Sequence, residues 1–102
     1  MEWYSYFSGF LSGAILTNFV PHFVKGISGD KFPTPFSKPH GKGLSSPVVN
    51  VVWSLVNLLV GYLLFRLADI SLQNNLMLIA FFAGVTCLSL FNSIHFVGKD
   101  KE

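Results

Sequence analysis

Two short runs, Asn18-Phe-Val-Pro-His-Phe-Val-Lys25 and Ser45-Ser-Pro-Val-Val-Asn50, bracket a loop rich in Lys, Pro and Gly, and their reading decides the fold. The stretch from Asn18 to Asn50 holds all five prolines, four of the seven basic residues and two of the three histidines. One apolar block precedes it and two follow it. Only 12% of the 102 residues are charged, against roughly 25% in an average soluble domain. A soluble chain this short would have too little polar surface to cover a core, and the concentration of its apolar residues in three blocks points to a bilayer. The expectation is an all-α membrane protein with three transmembrane helices, over about 3–24, 47–68 and 76–97, forming a single domain with the Pro/Gly/Lys-rich loop between helices one and two.

Working back from Asn18, the first block opens with Trp3, Tyr4 and Tyr6, rings suited to a membrane–water interface. It has no basic residue ahead of its apolar run and carries Glu2, the wrong polarity for a secretion signal, so it is expected to be retained as a helix. Gly9 and Gly13, four apart with Ser5 and Ser12 near them, make a small face that allows close helix approach, within the chain or between copies. Pro21 has no N–H, which takes the usual donor from the Thr17 carbonyl. Asn18 and His22 sit beside it, either to satisfy a kinked helix end or to line a polar pocket.

Inside the loop, Phe32-Pro-Thr-Pro-Phe36 reads as an extended, polyproline-like segment with a ring at each end. With Lys25, Lys31, Lys38 and Lys42 it suggests a strap on the membrane surface, its lysines on anionic lipid headgroups. His40 reads as a solvated loop residue. Gly41-Lys42-Gly43 imitates a phosphate loop and fails: Phe36 stands where the leading glycine is required, and Gly43 stands where Ser or Thr is required.

Beyond the loop, Ser46 as cap and Pro47 at the first helical position start the second helix. Asn50, Ser54, Asn57 and Gly61 recur at spacings of four, three and four on one face, and a polar stripe on a spanning helix turns toward protein or water. Arg66 and Asp69 can pair at i, i+3. The short second loop, with Asn74 and Asn75, implies an antiparallel hairpin of helices two and three. On helix three, Gly84, Leu88, Asn92 and His95 share a face. Cys87 reads as a small packing residue. The tail after Gly98 reads as mobile.

Three spans put the loop and the C-terminus on one side, with Lys25, Lys31, Lys38, Lys42, Lys99 and Lys101, against Arg66 alone on the other. The charge bias predicts an outside N-terminus and a cytoplasmic C-terminus. Asn18, His22, Asn50, Asn92 and His95 then share one depth at the inner helix ends, with Asn57 deeper, and this polar cluster is the candidate site. Gly9, Gly13, Ser54, Gly61 and Gly84 are the expected packing positions. Two histidines without a carboxylate or thiolate make a poor metal site, and no Asp or Glu lies inside any span to orient a catalytic base. No catalytic residue, metal, cofactor or nucleic-acid partner is expected.

Three stretches, Asn18-Phe-Val-Pro-His-Phe-Val-Lys-Gly-Ile-Ser-Gly29, Lys31-Phe-Pro-Thr-Pro-Phe36 and Ser45-Ser-Pro-Val-Val-Asn-Val-Val-Trp-Ser54, resemble a family of small bacterial membrane proteins. The resemblance covers roughly residues 10–65. It implies a bacterial inner-membrane location, and neither a substrate nor any site residue. The expected role is structural or accessory, through self-association or a larger membrane partner. The rival is a homo-oligomeric channel or a small-solute or proton transporter built on the polar cluster.

Overall fold

A computed structural model describes residues 3–71 and 73–100. The described chain is all-helical: α1 (Trp3–Ile27), α2 (Pro47–Leu67) and α3 (Asn75–His95), the last running into a 3-10 turn, Phe96–Gly98. Each of the three is long and apolar enough to cross a membrane. At 1.5 Å per residue, the 21 residues of α2 rise about 31 Å, close to the ~30 Å of a bilayer's hydrocarbon.

The helix ends follow their local chemistry. Ser46 caps α2, its hydroxyl accepting from the Val49 N–H, with Pro47 in the first turn. Asn74 caps α3 in the same way through Met77, so it is a cap more than a turn residue. α1 runs one turn past the expected stop and closes in a Schellman arrangement. There the Asp30 N–H reaches the Lys25 carbonyl at 2.9 Å and the Gly29 N–H reaches Gly26 at 3.1 Å. Gly29 supplies the left-handed residue, at φ 78°, which this cap requires.

α1 is the middle layer. Among the described residues no Cα of α2 lies within 8 Å of one of α3, so the second and third helices are joined by a short turn but do not pack as a hairpin. Both pack on α1 instead, and near that turn Phe65 of α2 meets Phe81 of α3 edge-to-face at 5.9 Å. The cause is the small face of α1. A methyl on Gly13 would strike the Phe81 carbonyl, and one on Gly84 would strike the Phe10 carbonyl, so these two glycines bring α1 and α3 into backbone contact. Gly9 lies against Met77, and Gly61 of α2 against Leu16. Ser12, fully buried, donates to the Gly61 carbonyl at 3.0 Å. The small residues are therefore occupied within one chain.

Three further expectations change. Arg66 donates to the Tyr62 hydroxyl at 2.9 Å and not to Asp69, because Asp69 turns to φ 53° just past the helix and leaves the i+3 register. Cys87 is exposed on α3, since α1 is the one long helix whose backbone α3 approaches and its far face stays open. The loop is no extended strap. Phe32 and Ser45 pair as an antiparallel bridge, and the Thr34 carbonyl accepts from the N–H groups of Ser37 and Gly41. Phe32, Pro33, Thr34, Ser37 and Gly43 are buried beneath this compact cap. Phe36 stays 62% exposed, resting edge-on against Trp53, while the four loop-end lysines, Lys25, Lys31, Lys38 and Lys42, face outward.

Candidate functional site

The polar residues at the loop end form two tiers. The lower tier crosses all three helices. Asn57 Nδ2 donates to the Trp53 carbonyl at 2.8 Å. A carbonyl only accepts, so this bond fixes the Asn57 amide and presents its Oδ1 to α1. Asn18 Nδ2 donates to that oxygen at 3.2 Å, and Asn18 Oδ1 accepts from Asn92 Nδ2 at 3.3 Å. The result is one directed row of amides from α3 through α1 to α2. Three asparagines 35 to 74 positions apart each find partners that a lipid-like interior could not supply.

The upper tier joins α1, α2 and the loop. Asn50 is fully buried. Its Nδ2 donates to the carbonyls of Phe32 at 2.9 Å, Ser46 at 3.0 Å and Ser45 at 3.2 Å. These acceptors settle the amide orientation, so Asn50 Oδ1 faces His22 Nδ1 at 2.9 Å. His22 Nδ1 must then carry the proton, and in the neutral ring Nε2 is left as an acceptor without a partner among the described residues. Phe32, Trp53 and Phe96 surround the imidazole edge-on. Asn18 and His22 thus reach across to the neighbouring helices and do not turn back on the α1 end opened by Pro21.

His95 stands apart from both tiers. It is exposed, stacks on Phe91, and donates from Nε2 to the Gly41 carbonyl at 2.9 Å. Its role is to latch the loop. A second latch is the Asp100 N–H on the Lys42 carbonyl at 2.9 Å, so the described part of the tail is tied down. Lys101 and Glu102 lie outside the described residues, as does Glu2.

Between loop and helices lies a cavity of about 290 Å³. Asn18, His22 and Asn92 form its polar floor, Trp53, Phe91 and Phe96 its aromatic walls, and Gly41 and His40 part of its roof. His40 is exposed to solvent yet borders this space. Trp53 Nε1 is the one buried side-chain nitrogen or oxygen without a partner among the described residues. No known family, curated protein or solved structure matches the chain. The cavity's chemistry is therefore read from its walls. It offers amides, imidazoles, rings and the Thr34 side chain, with no carboxylate in its lining. Among the described residues no three His, Cys, Asp or Glu side chains are placed to share a metal ion.

Several residues here had no signal in one-dimensional spacing. Ser45 is visible in the sequence only as a hydroxyl; folded, it bonds Thr34 at 2.6 Å and holds the cap shut. Trp53 reads as a lipid-facing or packing ring, yet it supplies both the acceptor that orders the amide row and a wall of the cavity. Ser54, which the stripe on α2 did mark, is fully buried and returns its hydroxyl to the Val51 carbonyl, beside the tiers.

Proposed function

We propose that the chain is a multi-pass integral protein of the bacterial inner membrane, N-terminus outside and C-terminus cytoplasmic. It acts as a non-catalytic accessory component, through a larger membrane partner or a second copy. The observation that carries this reading is the inward direction of the polar side chains. Asn18, Asn50, Asn57 and His22 are spent on joining α1, α2, α3 and the loop, which leaves the outer faces of α2 and α3 dominated by exposed Val, Leu, Ile and Phe. In a bilayer such faces meet lipid or another helix. The loop-capped cavity is the part of the protein that differs most from a plain anchor, and the reading makes it the place where a partner's polar group is received.

The same direction of side chains weighs against the rival pore. A pore made of several copies would be lined by outer helix faces, and the asparagine and histidine cluster lies within each copy. A path through one copy would have to pass α1, where Gly13 and Gly84 bring backbones into contact. Two measurements test the reading. Membranes washed with alkaline carbonate should retain the protein. Liposomes containing it should pass neither protons nor small ions at about pH 6 or pH 8, with His22→Ala no different from the parent. Flux abolished by His22→Ala would overturn the accessory role, and release by carbonate would overturn membrane insertion.

A further inference from the structure

At the edge of the loop cap, sharing no lining residue with the His22 cavity, lies a second recess of about 220 Å³. Three lysines from three separate segments border it: Lys25 from the last turn of α1, Lys31 from the start of the loop, and Lys99 from the segment after α3. Asp30 and Asp100 complete the polar rim, and Phe32 and Leu44 supply its apolar part. The convergence is fixed by backbone bonds. The Schellman closure of α1 sets Asp30 beside Lys25, the Phe32–Ser45 bridge sets Leu44, and the Asp100 N–H on the Lys42 carbonyl brings Lys99 in. Lys38 and Lys42 are exposed elsewhere on the cap and do not border this recess.

The rim therefore carries both signs and one net positive charge. A bare anion would meet the lysines but also two carboxylates, and a choline head has no N–H or O–H for those carboxylates. The complement is a monoanionic phosphodiester whose head also bears hydroxyl donors, with an apolar part beside Phe32 and Leu44. We propose that this recess is a discrete binding site for the phosphoglycerol head of a phospholipid, phosphatidylglycerol. The phosphate lies against Lys25, Lys31 and Lys99, and the glycerol hydroxyls donate to Asp30 and Asp100. This replaces an evenly spread lysine strap with one stoichiometric site, and it gives the tail a part in it. A recess of this size suits a headgroup; sites for drug-sized ligands start near ~300 Å³. The proposal rests on the membrane reading above.

The test is native mass spectrometry of the full chain in detergent, titrated with phosphatidylglycerol, phosphatidylcholine or soluble glycerol 3-phosphate. One phosphatidylglycerol adduct should form in preference to phosphatidylcholine. Lys99→Ala should weaken it about five-fold, as expected for one screened lysine near headgroups. Lys99→Arg should restore most of it, and Lys38→Ala should leave it unchanged. Equal retention of the two lipids would overturn the site, as would equal losses in Lys38→Ala and Lys99→Ala, which would mean diffuse surface charge. Displacement of the lipid by equimolar glycerol 3-phosphate would overturn the lipid assignment in favour of a soluble phosphate ester. Each of these results is distinct from carbonate release, which sinks the membrane reading itself.

Discussion

Asn50→Ala is the sharpest test of how the loop is held. The side chain is fully buried and makes four hydrogen bonds. The three carbonyls it serves keep other donors: Phe32 O has the Ser45 N–H, Ser45 O has the Phe32 N–H, and Ser46 O has the Asn50 N–H. The group truly stranded is the His22 Nδ1–H. An unpartnered buried donor costs about 1–3 kcal/mol, and each lost hydrogen bond a net ~1 kcal/mol, less where the surroundings are membrane-like. The expected loss is about 3 kcal/mol, roughly 150-fold in the unfolding equilibrium. A shift of the imidazole to its other tautomer, with Nε2–H turned to the cavity, would bring it nearer 2 kcal/mol. Reversible unfolding in mixed detergent micelles measures the loss. Asn50→Leu keeps the number and branching of heavy atoms and removes the bonds, so it should be as damaging as Asn50→Ala or worse. The double variant with His22→Phe should recover about 1 kcal/mol, because neither partner is then stranded. An Asn50→Leu protein within about 0.5 kcal/mol of the parent, or a coupling below that figure, would refute the argument that hydrogen bonding and not shape holds the loop.

Two further outcomes follow from the packing and the charge pattern. Gly84→Ala should cost about 3 kcal/mol or prevent folding, since overpacking commonly costs 1–3 kcal/mol and the obstacle here is the Phe10 backbone; Gly98→Ala, whose methyl meets nothing, should unfold within error of the parent in the same micelle assay. In a Cys87→Ser background, Lys42→Cys should label with an impermeant thiol reagent only in inside-out vesicles and Gln73→Cys only in right-side-out ones, and labelling of both from one side would rule out three spans.

The polar stripe Asn50–Ser54–Asn57–Gly61 shows how much of the site was legible. Its spacing marks one face of a helix whatever surrounds it, and these four are the buried residues of α2. The same periodicity could not say what that face meets. Asn57 meets Asn18, and Asn50 meets both His22 and a loop carbonyl 18 positions away. An amide has donors and acceptors at one end of a short stem, so its partner is chosen by position in space, and no local rule fixes it. His95 illustrates the opposite case. It shares a helical face with Asn92 and borders the same cavity, yet its ring nitrogen goes to the Gly41 carbonyl of the loop and not to an amide.

Length, hydropathy and capping chemistry are local properties, and the sequence alone determined what rests on them: three helices, their ends to within a turn, the Ser46–Pro47 start, and the stripe on α2. Layer order is not local. The short turn after α2 suggested a hairpin, but the tertiary structure put α1 between α2 and α3, because Gly13 and Gly84 allow backbones to approach more closely than any pairing of the Leu- and Phe-rich faces of α2 and α3. The loop was decided at the same level. Its prolines and glycines excluded a long helix, whereas its closure into a cap needed Asn50, His95 and the Asp100 N–H to arrive from outside it. The cavity and the lysine recess depend on those arrivals, and they, like the amide row, are meetings of segments that sequence separation keeps apart and only folding brings together.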